Sequence, residues 1–385
     1  MKKKTYIIVT IFILLSLILG LYWLSIAITC LFLLLIGKQI LVGLITFNLI
    51  KKLVNVLFSF ALIVCIAIGI RVFVADIYLI PSSSMENTLY PKDVILVNKL
   101  KYGPKTPQSP YEIPWVNIFY YVKDNSKKAI EAKKWTEKRL SGTSEIEQGD
   151  VIVFKNRQVM VKRCVAVAGD TFKIVNGTVF TNGEKYKTAL HIRKTYQFKL
   201  TNTSQFYHQL DTLQLEVYVN SSRELGDNWK QATLSVQEAE KIKSLKEVSA
   251  FKLKTTNKPI QAKKFPWYKE KKWTLDNFGA IILPTRGMKI KLTEESFQLY
   301  SSTLRDYEQV KLKEKKGKFY LNNKQVTTYV FKHDYYFMMG DNRHDSYDSR
   351  YLGMIPKELM IGKVSCVLFS NKDDVFQWSR LFKAV

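Results

Sequence analysis

Val159-Met160-Val161-Lys162-Arg163-Cys164-Val165-Ala166-Val167 reads as a β-strand with one residue out of place. Valine-rich runs suit a pleated, half-buried surface, and successive side chains point to opposite faces. Lys162 and Arg163 therefore face opposite sides. With Arg163 turned toward a partner, Lys162 points into an apolar interior. An ammonium ion is costly there, so the amine's pKa falls from about 10.4 toward neutrality. A neutral amine can take the proton of a hydroxyl. Taken alone, the same pattern also describes a surface lysine on an edge strand.

Outward from this stretch the same period-two pattern recurs at 94–97, 151–154, 171–175 and 361–369, bounded by Gly, Asn and Asp. Asn176-Gly177 and Asn182-Gly183 are hairpin signals. The body is expected to be mainly β, a β-rich α+β fold built on antiparallel sheet. Helices interrupt it. Ser235-Val236-Gln237-Glu238 is a capping box ahead of Ala239, Ile242 and Leu245. A second helix is expected from Thr293, with Phe297, Tyr300 and Leu304 on one face, and a third in the basic segment 126–140. Residues 171–334 read as one long insertion, either a rigid cap over the core or a surface for partners such as an export channel. The expected organisation is an anchor at 1–75, core at 76–170, an inserted cap at 171–334 and core again at 335–385.

The N-terminus is of another character. Residues 5–37 carry no charged side chain. As one helix they would be about 50 Å long, too long for a single crossing of a hydrocarbon core about 30 Å thick. A break near Gly20, with Tyr22 and Trp23 as interfacial aromatics, divides them into two short spans, the second ended by Lys38. A third run, 53–70, follows Lys51 and Lys52 and stops at Arg71. Lys2, Lys3, Lys4, Lys38, Lys51 and Lys52 all fall on the cytoplasmic side if there are three spans, which exports the body. The expected location is the bacterial cytoplasmic (inner) membrane, multi-pass, with the catalytic body outside, on the periplasmic face.

The net charge of +26 is scattered through the chain, which favours anionic lipid over nucleic acid as the partner. Cys30, Cys65, Cys164 and Cys366 have neither C-x-x-C nor metal-ligand spacing and read as buried thiols more readily than as disulfides. No metal or cofactor is expected. The four histidines flank no nucleophile elbow, and G-x-S-x-G, HExxH, P-loop and G-x-G-x-x-G motifs are missing. What stands out instead is Ile80-Pro81-Ser82-Ser83-Ser84-Met85, whose Ser84 lies 13 residues beyond Arg71; taken alone, a Ser-rich turn after Pro also describes an ordinary loop. A further cluster, Gly340-Asp341-Asn342-Arg343-His344-Asp345-Ser346-Tyr347-Asp348-Ser349-Arg350, holds a hydroxyl able to orient an amine and two Asp/Arg sets able to pair.

Together these blocks resemble the bacterial type I signal peptidases. The shared elements are Ile80–Met85 with Thr88-Leu89, Gly149-Asp150-Val151-Ile152-Val153-Phe154, Lys162-Arg163 with Gly169-Asp170, and Gly340-Asp341-Asn342-Arg343 through Ser346, Asp348, Ser349 and Arg350, in the family's order after a transmembrane segment. The resemblance implies a membrane-bound serine endopeptidase that cuts signal peptides of preproteins after small residues, Ala-x-Ala in type. It implies Ser84 as nucleophile and Lys162 as base. Ser82 and the Ser84 backbone N–H would serve the oxyanion, and Ser346 would hold the amine. Arg163, Asp341, Arg343, Asp348 and Arg350 would form the ion-pair frame, while Ile80, Pro81, Met160 and Val161 would line the substrate groove. Three positions depart from the family pattern: Ser83 stands where Gly is common, Leu352 where Trp is frequent, and His344-Asp345 is an unusual pair. A self-cleaving Ser/Lys repressor-type protease would need a DNA-binding segment where this chain has apolar spans. An inactive membrane-tethered binding protein of the same fold is the other rival.

Overall fold

A computed structural model describes residues 3–123, 126–187, 191–222, 225–226, 228–259, 271–372 and 374–385. The chain forms two compact units. One comprises Met1–Tyr78, Ile95–Glu145 and Ile361–Cys366; the other comprises Leu79–Val94, Ile146–Met360 and Val367–Val385.

The first unit carries the apolar helices Lys3–Ile18, Tyr22–Leu44 and Asn48–Gly69, the last continued by a π-turn over Ile70–Val74. The break falls at Gly20, whose φ of 71° suits a residue without Cβ. Lys38 does not end the second helix, which runs on to Leu44, and the third starts at Asn48, ahead of Lys51 and Lys52. A lysine within an apolar helix can stay helical because its long stem carries the amine to a partner: Lys38 Nζ donates to Ser59 Oγ at 2.7 Å. Two helical stretches, Tyr22–Leu44 and Asn48–Val74, are long and apolar enough to cross a membrane. The first helix, at 16 residues, is about 24 Å long. Trp23 Nε1 donates to the Ser141 carbonyl at 3.1 Å, Ser141 Oγ donates to the Gly20 carbonyl at 3.0 Å, and the Trp23 and Phe73 rings lie 5.9 Å apart. The turn after the first helix therefore sits beside the end of the third and beside the segment around Ser141.

The second unit is built on antiparallel strands. Val151–Asn156 and Gln158–Ala166 form a tight hairpin with Ile152 opposite Lys162, closed by Arg157 at φ 57°. Tyr335–Met339, wholly buried, pairs with the far end of Gln158–Ala166, matching Met339 to Arg163 and Phe337 to Ala166. Both Asn-Gly hairpins form, with positive φ at all four turn residues. Thr171–Val175 and Phe278–Ile282 pack their rings on the catalytic strands, with Phe172 stacked on Phe337 at 4.1 Å. A separate sheet, ordered Val248–Leu253, Arg193–Leu200, Trp229–Ser235, Val219–Ser221, holds its own core of Phe198, Phe206, Leu210, Leu234 and Ile242. Ser235 and Glu238 make the full capping box at helix Val236–Lys243, and Thr293 caps helix Glu294–Tyr307, which buries Tyr300 and Leu304. The helix expected over 126–140 shrinks to Lys127–Ala132, because Lys138 and Leu140 are drawn into backbone bonds with Thr106 and Pro104. All four cysteines are free thiols.

Candidate active site

Two local structures present the reacting side chains. After Ile80 the chain turns through a single 3-10 turn, Ser83–Met85, which buries Ser84 and Met85. Lys162 sits near the middle of Gln158–Ala166, among Met160, Cys164, Val165 and Ala166, all buried. The pleat places Lys162 on one face and Arg163 on the other, as alternation requires. Lys162 Nζ lies 2.7 Å from Ser84 Oγ and also donates to the Val161 carbonyl at 3.0 Å. Ser84 is 8% exposed and Lys162 4%.

Burial pushes the Lys162 amine below its ordinary range; Asp348 and Asp341 oppose this and Arg350 adds to it. Both carboxylates are already held by arginines, which weakens their pull on the amine. Arg163 donates to Asp341 through Nε at 2.8 Å and Nη2 at 2.7 Å. Arg350 holds Asp348 through Nε and Nη2, both at 2.9 Å. The Asp341 carboxyl lies well below the usual carboxylate range: burial works to raise it, but Arg163, His191 and Thr88 outweigh that cost. Asp348 is likewise held down, chiefly by Arg350 against its own burial.

Gly340 joins these parts. A Cβ there would lie 2.2 Å from Ser346 Oγ and 2.5 Å from the Ser84 carbonyl oxygen, so only glycine lets the two segments close. Asn342 N–H donates to that Ser84 carbonyl at 3.1 Å, and Asp348 accepts from Gly340 N–H at 3.0 Å.

Ser84 and Lys162 are thus in direct contact, and Ser82 Oγ is 3.3 Å from Ser84 Oγ. Met160 and Ile80 are buried, Val161 is half-buried and Pro81 is exposed. Two residues stand differently from expectation. The Ser346 hydroxyl is buried against Gly340 and makes no close hydrogen bond among the described residues, though it lies near enough to Asp348 to favour that carboxylate's charge. The Val161 carbonyl holds the Lys162 amine in its place. Among the described residues Arg343, which is buried, forms no ion pair, since both carboxylates are engaged elsewhere; its Nη1 reaches Met339 Sδ, and Nε and Nη2 are unpartnered there.

Other residues of the site are given no role in the sequence reading. Thr88 Oγ1 donates to Asp341. His191 Nε2 is 3.2 Å from Arg163 Nη2. Arg193 exchanges backbone hydrogen bonds with Asp341 and Arg343 and pairs with Glu86 at 3.1 Å. His344 accepts from Thr195 N–H at Nδ1 and reaches the Lys254 carbonyl through Nε2, and Ser83 donates to Asp345. The unusual His-Asp pair is thus the stitch between the catalytic loop, the insertion and the serine turn. Arg380, buried near the C-terminus, pairs with buried Asp93 and donates to the Thr88 carbonyl. Only the proximity of Asp345 to the family's last block was a signal; the other partners are distant in sequence.

Comparison with known proteins fits this geometry. The sequence profile of the family described as signal peptidase, peptidase S26, matches residues 53–243 and 285–369, well over half of the chain. The chain belongs to this family. It is a serine peptidase that cleaves signal peptides. Among its relatives, signal peptidase I of Buchnera aphidicola subsp. Baizongia pistaciae is 27% identical over 341 residues, covering 86% of this chain and 79% of the relative. The enzyme of Buchnera aphidicola subsp. Schizaphis graminum is 24% identical over 312 residues, or 80% and 72%. Signal peptidase I of Rickettsia prowazekii matches only 131 residues at 26%, 33% of this chain and 42% of the relative. These likenesses and the two long apolar helices point to a membrane-anchored protein.

Proposed function

We propose that this peptidase works through a Ser84–Lys162 dyad at the outer face of the cytoplasmic membrane, cutting preproteins after Ala-x-Ala-type sequences. The observation that carries the reading is the 2.7 Å contact between a buried amine and a buried hydroxyl. Ser84 Oγ attacks the scissile carbonyl carbon while its proton passes to neutral Lys162. The oxyanion is met by the Ser84 backbone N–H and the Ser82 hydroxyl. Collapse expels the new amine of the mature protein, which takes the proton from Lys162, leaving an acyl-enzyme. Lys162 then deprotonates a water that attacks the ester, freeing the signal peptide and Ser84. Ser346 is assigned to steady the amine once it is protonated, when its unpaired oxygen can accept.

The substrate strand lies along Met160–Val161. Pairing of Gln158–Ala166 with Tyr335–Met339 stops at Arg163, which leaves the edge before Lys162 open to an extended peptide beside Ser84. Ile80 and Pro81 form the opposite lip. Residues 171–334 act as a cap that braces the catalytic loop, a role supported by the hydrogen bonds of Arg193 and Thr195 to residues 341–344. A multi-pass anchor with an external body is favoured by the contacts of Trp23 and Gly20: the turn after the first helix lies with Phe73 at the exit of the third, so Lys38, Lys51 and Lys52 share the opposite side. Membrane lipid and an export channel are the partners that accompany this reading.

The test is processing of a preprotein by the full chain in lipid vesicles, with the new N-terminus sequenced. Ser84→Ala is expected to lose at least about three orders of magnitude in rate. Cleavage by Ser84→Ala at a rate comparable to that of the wild type would reject the dyad.

A further inference from the structure

Helix Val116–Lys123 is amphipathic the wrong way round for a protein in water. Trp115, Ile118, Phe119 and Val122 fall at i, i+3, i+4 and i+7, the spacing of one helix face. In a globular domain that face would be buried. Here its residues are 50%, 59%, 66% and 83% exposed. The opposite side makes the contacts: Tyr120 and Tyr121 pack against buried Tyr111 with ring centres 5.6 and 5.2 Å apart. Trp135, which follows, is also 49% exposed. A contiguous apolar patch of this kind marks an interaction surface.

Three observations choose its occupant. The helix belongs to the same compact unit as the apolar helices. The chain leaving it returns to the anchor within twenty residues, where Ser141 bonds Gly20 and Trp23. From 123 to 138 the sequence carries six lysines against three acids, and Lys123, Lys127, Lys128 and Lys134 are exposed. Aromatic and aliphatic residues on one face with lysines alongside is the composition of a helix lying in the headgroup region of an anionic leaflet.

We propose that Trp115–Val122 inserts its apolar face into the acyl boundary of the membrane, with the following lysines on anionic headgroups, as a second attachment independent of the spans. The inference rests on the anchor and not on the cleavage chemistry.

It is tested on the full chain with its four cysteines replaced by serine, Phe119→Cys or Tyr218→Cys carrying an environment-sensitive fluorophore, in vesicles holding a nitroxide lipid. Tyr218, 81% exposed in the insertion, is the control. Vesicles containing phosphatidylglycerol should quench the label at 119 at least threefold more than that at 218, and phosphatidylcholine alone should reduce this quenching at least twofold. Quenching at 119 no greater than at 218 in both vesicles overturns the proposal. A label at 119 shielded from aqueous quencher but untouched by the nitroxide lipid, and only at high protein density, would overturn it in favour of a second copy of the chain. Equal quenching in the two vesicles overturns the anionic component. Preprotein processing, measured in parallel, reports failure of the cleavage reading separately.

Discussion

Two strands of this protein carry an adjacent lysine and arginine, and the pairs behave differently. In Gln158–Ala166, Arg163 is paired with Asp341 and Lys162 touches Ser84. In Arg193–Leu200, Arg193 is paired with Glu86, and Lys194 donates to the Gly177 carbonyl at 3.0 Å. Burial depresses both amines, Lys194 to about 8 with Arg343 and Lys185 assisting. The difference is the partner. A carbonyl oxygen has no proton to give, so Lys194 can only be a structural donor. A hydroxyl has one, and Lys162 is built to take it. A depressed lysine is therefore not a site until the atom it faces is known.

The sharpest way to break this comparison is to remove each amine. Lys162→Met is expected to lower preprotein processing at least a thousandfold, about 4 kcal/mol of transition-state stabilisation. Lys194→Met should leave it within about twofold. Equal losses in the two variants would abolish the distinction.

The next effect concerns the ion-pair frame around Lys162. Asp348→Asn leaves buried Arg350 without its carboxylate and weakens the hydrogen bond from Gly340 N–H. It should cost about 3 kcal/mol in denaturant unfolding. Arg380→Met should cost a similar amount by stranding Asp93, with no change in the pH dependence of cleavage. A shifted pH profile in that variant would mean that the C-terminal segment tunes the amine as well as bracing the serine turn.

A smaller and opposite effect follows from linkage. The folded-state pKa of Lys162 lies below its unfolded value of about 10.4, so the ammonium form of its side chain opposes folding. That penalty is present below the folded pKa and shrinks as pH rises toward the unfolded one. Lys162→Met should thus be the more stable protein at pH 7, by about 1.4 kcal/mol for each unit of depression, with the advantage fading toward pH 10. Thermal unfolding against pH checks the sign. Smallest of all, Ser83→Gly should change the rate by no more than about threefold, since it removes only the hydrogen bond to Asp345.

What the sequence made legible was local. The alternation around Lys162, the Asn-Gly hairpins, the Ser235 capping box and the Gly20 break each arise from neighbouring residues, and each has its counterpart in the fold. The strand Arg193–Leu200, in which Tyr196, Phe198 and Leu200 alternate with Gln197 and Lys199, was read only as part of the long insertion. Partners that meet only through the fold were invisible: His191 beside Arg163, His344 between Thr195 and Lys254, Arg380 on Asp93. Charge stops also misled. Lys38 and Lys51 lie inside helices because a lysine stem can carry its charge to a helix flank or end. Ser346 was read as the amine's partner from the company it keeps, whereas the bond from the Lys162 amine to the Val161 carbonyl, a group present in any strand, left no mark in the sequence.

The central claim is an uncharged Lys162 acting on Ser84, and the pH dependence of kcat/KM for preprotein cleavage, wild type beside Lys162→Met, tests it most directly. The account predicts an acid limb in the wild type far below the ordinary lysine range near 10.4, and a residual rate in Lys162→Met that is at least about a thousandfold lower and lacks that limb. A wild-type limb near 10.4, or a Lys162→Met enzyme that keeps the same profile within tenfold of the rate, would contradict it.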